Sequence, residues 1–262
     1  MQLTFLGSGP SRAIPRAGHR DLLCRAARKP GSKSRRHRSS AMLQFGGKNI
    51  LIDVSPDFLE QAKRARLKKI DAVFITHGHD DAYGGLSDLK KWLARNSHPP
   101  ILVFSHSSTL KYIKKLLPSA AIPKPSRPFS RTTLFGKKIS FIPVRHGLIP
   151  LPTYGFLFGR DLFYASDMDR ASARARRIIK NTKTVILDGA FWNIKRLRGH
   201  FTAPDTINFA KELHPKKLFI TQSGHSYPPH EKAQRELKKI AKTKSCRFPV
   251  QLAYDGLKIS IK

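Results

Sequence analysis

The feature that most constrains this chain is the polar run at residues 76–85, THGHDDAYGG. It follows residues 70–75, a short apolar stretch rich in β-branched side chains, which predicts a buried strand that ends where the polar run begins. His77 and His79 are separated by Gly78, which has no Cβ to obstruct a bend. Both imidazoles can therefore turn toward one point in a loop.

Asp80 and Asp81 follow the two histidines directly, and Gly84-Gly85 precedes a predicted helix. Two imidazoles and two carboxylates at the end of a strand suit a hydrolytic metal such as zinc, manganese or iron. The alternative is a polar loop that holds two histidines by chance. The combination of a strand, His-x-His-Asp-Asp and a glycine pair that opens a helix favours the metal site.

The composition excludes several classes of protein. The chain has 262 residues, enough for one large domain or two small ones, and 40% of them are hydrophobic. It has no apolar run of about 18 residues, and its N-terminus lacks the basic-then-apolar layout of a secretory signal. Its two cysteines, Cys24 and Cys246, are too few for a disulfide framework. We therefore expect a cytoplasmic protein with no membrane span.

The net charge of the chain is strongly positive. Lys and Arg number 50 against 17 Asp and Glu, which gives +33. Such a charge attracts polyanions and anionic substrates whether or not a specific site exists. It favours contact with nucleic acid or phosphate, but a general basic bias explains it equally well because the basic residues are spread along the whole chain.

The periodicity predicts strands and helices in two similar halves. Strand pairs come first in each half and helices separate the later strands, which predicts two sheets sandwiched between helices. Residues 118–131, rich in Pro, Ser and basic side chains, are predicted to form a loop, and residues 12–40 an irregular basic segment. We expect a single domain over residues 1–262, with a loop insertion at about 12–40.

Three further stretches end predicted strands in polar residues. His146, Asp167 and the segment 221–225 each follow such a strand. A metal site assembled from loops at one edge of a sheet needs this arrangement. Each of these residues alone is typical of an ordinary polar loop, but their combination with the loop at 76–85 favours a shared metal site.

The order His-x-His-x-Asp, a lone His, an Asp and a final strand-end loop resembles the metallo-β-lactamase fold hydrolases. The closer resemblance is to their phosphodiesterase branch, in particular phosphoribosyl 1,2-cyclic phosphodiesterase of phosphonate degradation. The stretches that carry it are LGSG at 6–9, the serine pair 39–40, LIDVSPD at 51–57, GHFT at 199–202 and AYDG at 253–256. The resemblance covers nearly the whole chain and implies an α/β fold, the four-layer αββα sandwich of the metallo-β-lactamase fold.

The resemblance also implies the ligands of a first metal ion, which are His77, His79, His146 and Asp167. For a second ion it implies Asp81, a bridging Asp167 and two histidines. Ala82 and Gln222 stand at the positions of those two histidines. Because two imidazoles are replaced, we expect one catalytic divalent ion, zinc or manganese, per chain.

The same branch carries a structural zinc site made of three cysteines near the N-terminus and a distal histidine. The matching positions here are His19, Asp21, Cys24 and His225. Each of these residue types ligates zinc in proteins, so the resemblance implies a tetrahedral structural zinc site with one thiolate. The alternative is that salt bridges hold this loop.

The resemblance assigns proton transfer and leaving-group departure to Asp80 and His200. We therefore expect a metal-dependent phosphodiesterase that acts on a small cyclic phosphate or a nucleotide-like phosphodiester. One alternative is a catalytically impaired relative whose basic surface binds nucleic acid. Another is a nuclease similar to the tRNA 3′-processing enzymes, although the sequence shows no inserted arm of the kind that those enzymes use. The sequence leaves open whether the chain forms a homodimer.

Overall fold

Short runs rich in Val, Ile, Leu and Phe form two mixed β-sheets. The computed structural model describes residues 1–147, 151–193 and 199–262. Within these ranges, with strands numbered along the chain, the first sheet contains β1 (Gln2–Gly7), β2 (Ser40–Phe45), β3 (Lys48–Ile52), β4 (Ala72–Phe74), β5 (Ile101–His106), β6 (Ala121–Ser126) and β14 (Lys258–Ser260). The second sheet contains β7 (Arg131–Leu134), β8 (Lys137–Val144), β9 (Thr153–Phe158), β10 (Leu162–Ala165), β11 (Thr184–Asp188), β12 (Lys217–Thr221) and β13 (Val250–Leu252).

The two sheets have the same pairing pattern. The first runs in the order β14-β1-β2-β3-β4-β5-β6, with antiparallel pairing up to β3 and parallel pairing from β3 to β6. The second runs in the order β13-β12-β11-β10-β9-β8-β7, with parallel pairing from β10 to β13. The carboxyl ends of parallel strands lie at one edge of a sheet, which is where loops build binding sites in such folds.

The helices of the described ranges are α1 (Leu22–Arg28), α2 (Phe58–Ala65), α3 (Asp80–Tyr83), α4 (Leu86–Arg95), α5 (Ser107–Ile113), α6 (Ala173–Ile179), α7 (Ala203–Leu213) and α8 (His230–Thr243). Polar residues mark several of their starts. The side chains of Asp21, Ser172 and Thr202 each accept a hydrogen bond from the backbone N–H three residues on, which caps α1, α6 and α7. None of the described helices is both long and apolar enough to cross a membrane.

Three apolar clusters define the layers of the fold. In one of them, side chains from both sheets pack together, among them Leu3, Phe74 and Phe219. A second cluster joins the first sheet to α2, α4 and α5, and a third joins the second sheet to α6, α7 and α8. The order of layers is therefore helices, sheet, sheet, helices, and the predicted αββα class is confirmed.

Two segments differ from the sequence-based prediction. Strand β6 lies inside residues 118–131, which were predicted to form a loop. Of the strands in the described ranges it pairs with β5 alone, at the edge of the sheet. Pro123 and Pro125 are tolerated there because an edge strand does not need every N–H. Helix α1 lies inside the segment 12–40, which was predicted to be irregular. Its formation depends on the Asp21 cap, which the basic composition of the segment obscures. That residues 1–262 are one domain stays a prediction.

Candidate metal centre

Three histidines from two loops meet at one edge of the sheets. His77 and His79 follow β4, and His146 follows β8. One nitrogen of each ring lies within 4.8 Å of the others, and the ring centroids are 4.8 to 5.1 Å apart. Two segments of the chain that lie at least 67 positions apart thus present three imidazole nitrogens to a single point.

In two of the three rings, those of His77 and His146, a hydrogen bond at one nitrogen determines that the other nitrogen faces the shared point. The Gly199 carbonyl lies 2.7 Å from His146 Nδ1 and can only accept, so Nδ1 carries the proton and Nε2 presents a lone pair. His77 Nδ1 lies 2.8 Å from Thr76 Oγ1, which is in turn bound to the buried Asp53 carboxylate at 2.9 Å. His77 Nε2 is buried and has no hydrogen-bond partner among the described residues.

The three rings therefore have the character of metal ligands. Burial lowers the pKa of His77 to about 3, and it also lowers the pKa of His79. Both imidazoles are neutral at pH 7, as metal coordination requires. His146 Nε2 and His79 Nδ1 lie 3.2 Å apart, a separation that two imidazole nitrogens have when they bind the same metal ion. The orphaned His77 nitrogen and this imidazole set fit a divalent ion such as zinc or manganese.

Asp167 and Asp81 add carboxylates beside the imidazoles. Asp167 follows β10, is 4% exposed, and lies with His146 and His200 in a second group whose ligand atoms are within 4.8 Å of one another. Asp81 Oδ1 lies 3.8 Å from His77 Nε2. Burial, followed by the charge of Asp167, raises the pKa of Asp81 to about 6. The structure thus places three of the four residues predicted for the first ion in one group, and Asp167 in an overlapping group that shares His146 with it. Asp81 lies beside His77.

The positions of the two replaced histidines are occupied by uncharged side chains that are packed in place. Gln222 follows β12, is 2% exposed, and its Nε2 donates to Asp167 Oδ1 at 2.5 Å. Its Oε1 is buried with no partner among the described residues. Ala82 lies in α3, is also 2% exposed, and belongs to the apolar cluster of the first sheet. An amide N–H, rather than a cation, thus faces Asp167 from this side.

His200 lies against the metal centre. Its ring centroid is 4.7 Å from that of His146, and its Nδ1 lies 2.6 Å from Oδ2 of the fully buried Asp188. Burial acts to lower the pKa of His200, but the charge and hydrogen bond of Asp188 outweigh it and raise the pKa to about 9. Sequence reasoning did not assign a role to Asp188.

Asp80 is placed differently from the other predicted residues. It begins α3 and is exposed, and it belongs to none of the ligand groups that the described residues form. Within the described ranges, no hydrogen bond or ion pair joins the Asp80 carboxylate to an imidazole, and its part in proton transfer stays a prediction.

The four residues predicted for a structural zinc site converge at a second location. His225 Nε2 lies 3.1 Å from Cys24 Sγ and 3.2 Å from Asp21 Oδ2. His19 Nδ1 lies 3.8 Å from Asp21 Oδ2, and the rings of His19 and His225 are 4.9 Å apart. Imidazole, carboxylate and thiolate groups each ligate zinc in proteins, so the cluster offers four groups of the right chemistry, with fewer thiolates than the usual structural zinc site.

Asp53 and Asp188 are the supporting residues that the sequence analysis missed. Asp188 ends β11, and Asp53 directly follows β3. Each is a carboxylate at the end of a buried strand, which is the pattern that singled out Asp167. Their position at the end of a predicted strand was therefore the sequence feature that could have identified them.

Comparison with known proteins identifies the family. Residues 48–221 match the model of the beta-lactamase superfamily domain. A solved structure described as a new diphosphatase from the PhnP family is 30% identical, with a TM-score of 0.84, over 100% of this chain and 98% of that one. Among curated proteins, an octanoyltransferase of Porphyromonas gingivalis is 29% identical over 88% of this chain, and a ribonuclease Z of Thermococcus onnurineus is 32% identical over 29% of it.

The chain belongs to the metallo-β-lactamase superfamily of hydrolases. Within it the chain is related to the PhnP family, so the resemblance found in the sequence is confirmed. The chain spans 47% of the length of the octanoyltransferase and 26% of that of the ribonuclease Z.

Proposed function

We propose that this chain is a metal-dependent phosphodiesterase with one catalytic divalent ion. The observation that carries the proposal is the convergence of three imidazoles, two of which have Nδ1 held by a hydrogen bond so that Nε2 faces the shared point. The similarity to a PhnP-family diphosphatase and, over a shorter stretch, to a ribonuclease Z supports a substrate with a phosphate ester or anhydride bond.

His77, His79, His146 and Asp167 would hold the ion. When bound, a divalent ion in such a site activates water and neutralises charge on the phosphoryl oxygens. Asp188 orients the His200 ring through Nδ1 and leaves its other nitrogen to donate a proton to the departing oxygen. A hydrogen bond from His200 to a phosphoryl oxygen would also stabilise the charge that develops there.

A single catalytic ion is proposed because Ala82 and Gln222 stand at the two positions where imidazole ligands of a second ion are expected. The Gln222 amide already donates to Asp167, and Ala82 is packed in an apolar cluster. Asp81 and the shared Asp167 are the carboxylates that remain there, and these alone suit at most weak binding of an oxygen-preferring ion. With zinc at the His19–Asp21–Cys24–His225 cluster, the chain would bind two ions in total.

The test is hydrolysis of bis(p-nitrophenyl) phosphate with added zinc or manganese. We expect metal-dependent turnover that falls by at least about a hundredfold in His79→Ala, because one of three imidazole ligands is removed. Replacement of the exposed His214 by Ala is the matched control and should leave the rate unchanged.

Metal analysis separates the two clusters. We expect about two ions per chain in the wild type and one fewer in both His79→Ala and His225→Ala. Three tightly bound ions would contradict the single-ion proposal. Absence of turnover with every metal tried would contradict the enzymatic one.

The net charge of +33 favours a second candidate, a relative that binds nucleic acid without hydrolysing it. In that case the protein binds RNA or DNA with an affinity that falls steeply as salt is raised, and no substrate is turned over. Binding and turnover measured on the same preparation distinguish the two functions.

A further inference from the structure

The middle of the chain carries basic side chains and no acidic ones. Residues 89–160 contain 13 Lys and Arg, whereas all 17 Asp and Glu of the chain lie outside this range. The segment includes β5, α5 and β6 to β9, so it supplies β6 and β7, the edge strands of the two sheets. A ligand that contacts this part of the protein therefore meets cations that have no carboxylate neighbour in the same segment.

Six exposed cations of this segment lack a counter-ion. None of them takes part in an ion pair with another described residue, whereas Lys137 and Arg145 of the same segment pair with acids from outside it. We call the six the basic face, and its members are Lys111, Lys114, Lys115, Lys124, Arg127 and Arg131. Unpaired charges of one sign favour a polyanion as the partner.

The fold places one end of the basic face near the metal centre. Helix α5 packs on β5 and β6, and β4, β5 and β6 are parallel, so their carboxyl ends share one edge of the sheet. His79 lies in the loop after β4, and Arg127 directly follows β6. A cavity of about 700 Å³ is lined by Phe129, two residues after Arg127, and by His146 of the metal centre. A polymer that contacts Arg127 therefore has room to reach the metal centre.

Tyr112 adds an exposed aromatic ring to the basic face. It is 71% exposed and lies between Lys111 and Lys114 in the chain. Its ring centroid is 5.9 Å from that of Tyr83, at an interplanar angle of 82°, and Tyr83 belongs to α3, which begins directly after His79. This edge contact fixes the ring beside the metal-binding loop and leaves most of it exposed. An exposed ring among cations is typical of a stacking site for the bases of a single strand.

We propose that the basic face binds single-stranded nucleic acid, with phosphates on its Lys and Arg side chains and a base stacked on Tyr112. The net charge of the chain alone gives such binding no location, whereas the acid-free segment and the exposed ring do. A single strand is favoured over a duplex because the faces of its bases are free to stack. The inference goes beyond the proposed phosphodiesterase, since binding here does not depend on hydrolysis at the metal centre.

The experiment measures the affinity for a fluorescein-labelled oligothymidylate of about 12 nucleotides by fluorescence anisotropy at several salt concentrations. The variant combines Lys114→Gln, Lys124→Gln and Arg127→Gln. Each phosphate contact that is lost should reduce the slope of log K against log salt by about 0.7, so we expect the slope to decrease by about 2. At low salt the affinity should fall by at least about tenfold.

The matched control combines Lys238→Gln, Lys239→Gln and Lys242→Gln. It removes the same charge from exposed positions of α8 and should keep the slope within about 0.5 of the wild-type value. Because the two variants have the same net charge, the difference between them measures where the strand binds. Equal slopes in the two variants would overturn the proposal.

Tyr112 tests the nature of the partner. Tyr112→Ala should weaken binding by about fivefold or more at every salt concentration without a change of slope, and Tyr112→Phe should bind like the wild type because the ring is kept. Wild-type affinity in Tyr112→Ala would overturn the stacked base. Displacement of the strand by polyglutamate as effectively as by unlabelled oligothymidylate would overturn nucleic acid as the partner.

The same measurements are made in His79→Ala, which is expected to lack turnover. The slopes and affinities should match those of the chain with His79, because this histidine is not part of the basic face. Failure of the phosphodiesterase proposal therefore leaves these expectations unchanged, and loss of strand binding leaves the hydrolysis of bis(p-nitrophenyl) phosphate to be judged separately.

Discussion

The coordinating ability of the metal centre depends on side chains that do not themselves face the ion. Thr76 receives the Nδ1 hydrogen of His77 and is in turn bound to Asp53 through both its hydroxyl and its backbone N–H, the latter at 2.7 Å. In the same way, the Gly199 carbonyl accepts the Nδ1 hydrogen of His146. Such partners fix the tautomer and the orientation of a ring before the metal arrives.

Replacement of Thr76 by Val should weaken metal binding without removing a ligand. The isosteric change deletes the acceptor of His77 Nδ1, so the ring can adopt the other tautomer and rotate. We expect the zinc affinity of the metal centre, measured by competition with a chelating indicator, to fall by about 10- to 100-fold.

Thr182→Val is the control for this change. Thr182 is also fully buried, and its hydroxyl donates to the Ile179 carbonyl at 2.6 Å, away from both clusters. It should cost a similar amount of stability and leave zinc affinity unchanged. Equal losses of zinc affinity in the two variants would show that Thr76 acts only through general stability.

At this scale the sequence indicated which histidines converge better than it indicated the side chains that support them. His77, His79 and His146 could be singled out because imidazoles at strand ends are rare and chemically distinctive, and the structure places them together. That they bind a metal stays a prediction. Asp188 and the Gln222–Asp167 hydrogen bond could not be singled out, because each depends on contacts between segments 12 to 55 residues apart that only the folded chain defines.

Among the secondary structure elements, α1 depends most directly on a predicted metal ligand. Asp21 uses Oδ1 to cap the helix by accepting from Cys24 N–H at 3.0 Å, while its Oδ2 lies 3.2 Å from His225 Nε2. One carboxylate thus joins the start of the helix to the second cluster. Substitutions at Asp21 can separate these two contributions.

Asp21→Asn should retain the cap and lose zinc, since Asn caps helices as well as Asp but is a poorer zinc ligand. We expect less than one zinc ion per chain at this cluster after dialysis against a weak chelator. In excess strong chelator, the free energy of unfolding of Asp21→Asn should equal that of the wild type, whereas that of Asp21→Ala should be lower by about 0.5 to 2 kcal/mol. Full zinc content in Asp21→Asn would show that Asp21 is not a ligand.

Elements with a clear period or cap could be predicted, and those that depend on their neighbours could not. The β4 strand and the loop after it follow from a β-branched run and a glycine pair. Strand β6 was missed because it pairs with β5 alone among the described strands, and because the prolines within it conceal its extended shape. An edge strand is defined by its partner more than by its own residues.

For the molecule as a whole, a buried cation joins the N-terminal segment to the last helix. Arg36 is 2% exposed, and its guanidinium donates to the Ala253 carbonyl at 2.5 Å and lies 3.2 Å from His230 Nδ1. Arg36 is always a donor, so His230 Nδ1 must accept and the ring must stay neutral. Burial, followed by the charges of Arg36 and Lys33, lowers the pKa of His230 to about 3.

This junction should make the whole fold sensitive to acid. Between the ordinary histidine pKa of about 6.5 and about 3, the unfolded chain binds a proton at His230 that the folded chain excludes, so the free energy of unfolding falls as the pH is lowered through this window. In His230→Asn, whose side-chain oxygen can accept from Arg36, the slope of the free energy against pH should decrease by up to about 1.4 kcal/mol per pH unit. Urea unfolding at pH 7, 5.5 and 4.5 measures the free energy of unfolding of the variant and of the wild type. The contributions of all other titratable groups cancel in the difference between the two. An unchanged slope in His230→Asn would mean that this histidine is not held neutral by Arg36.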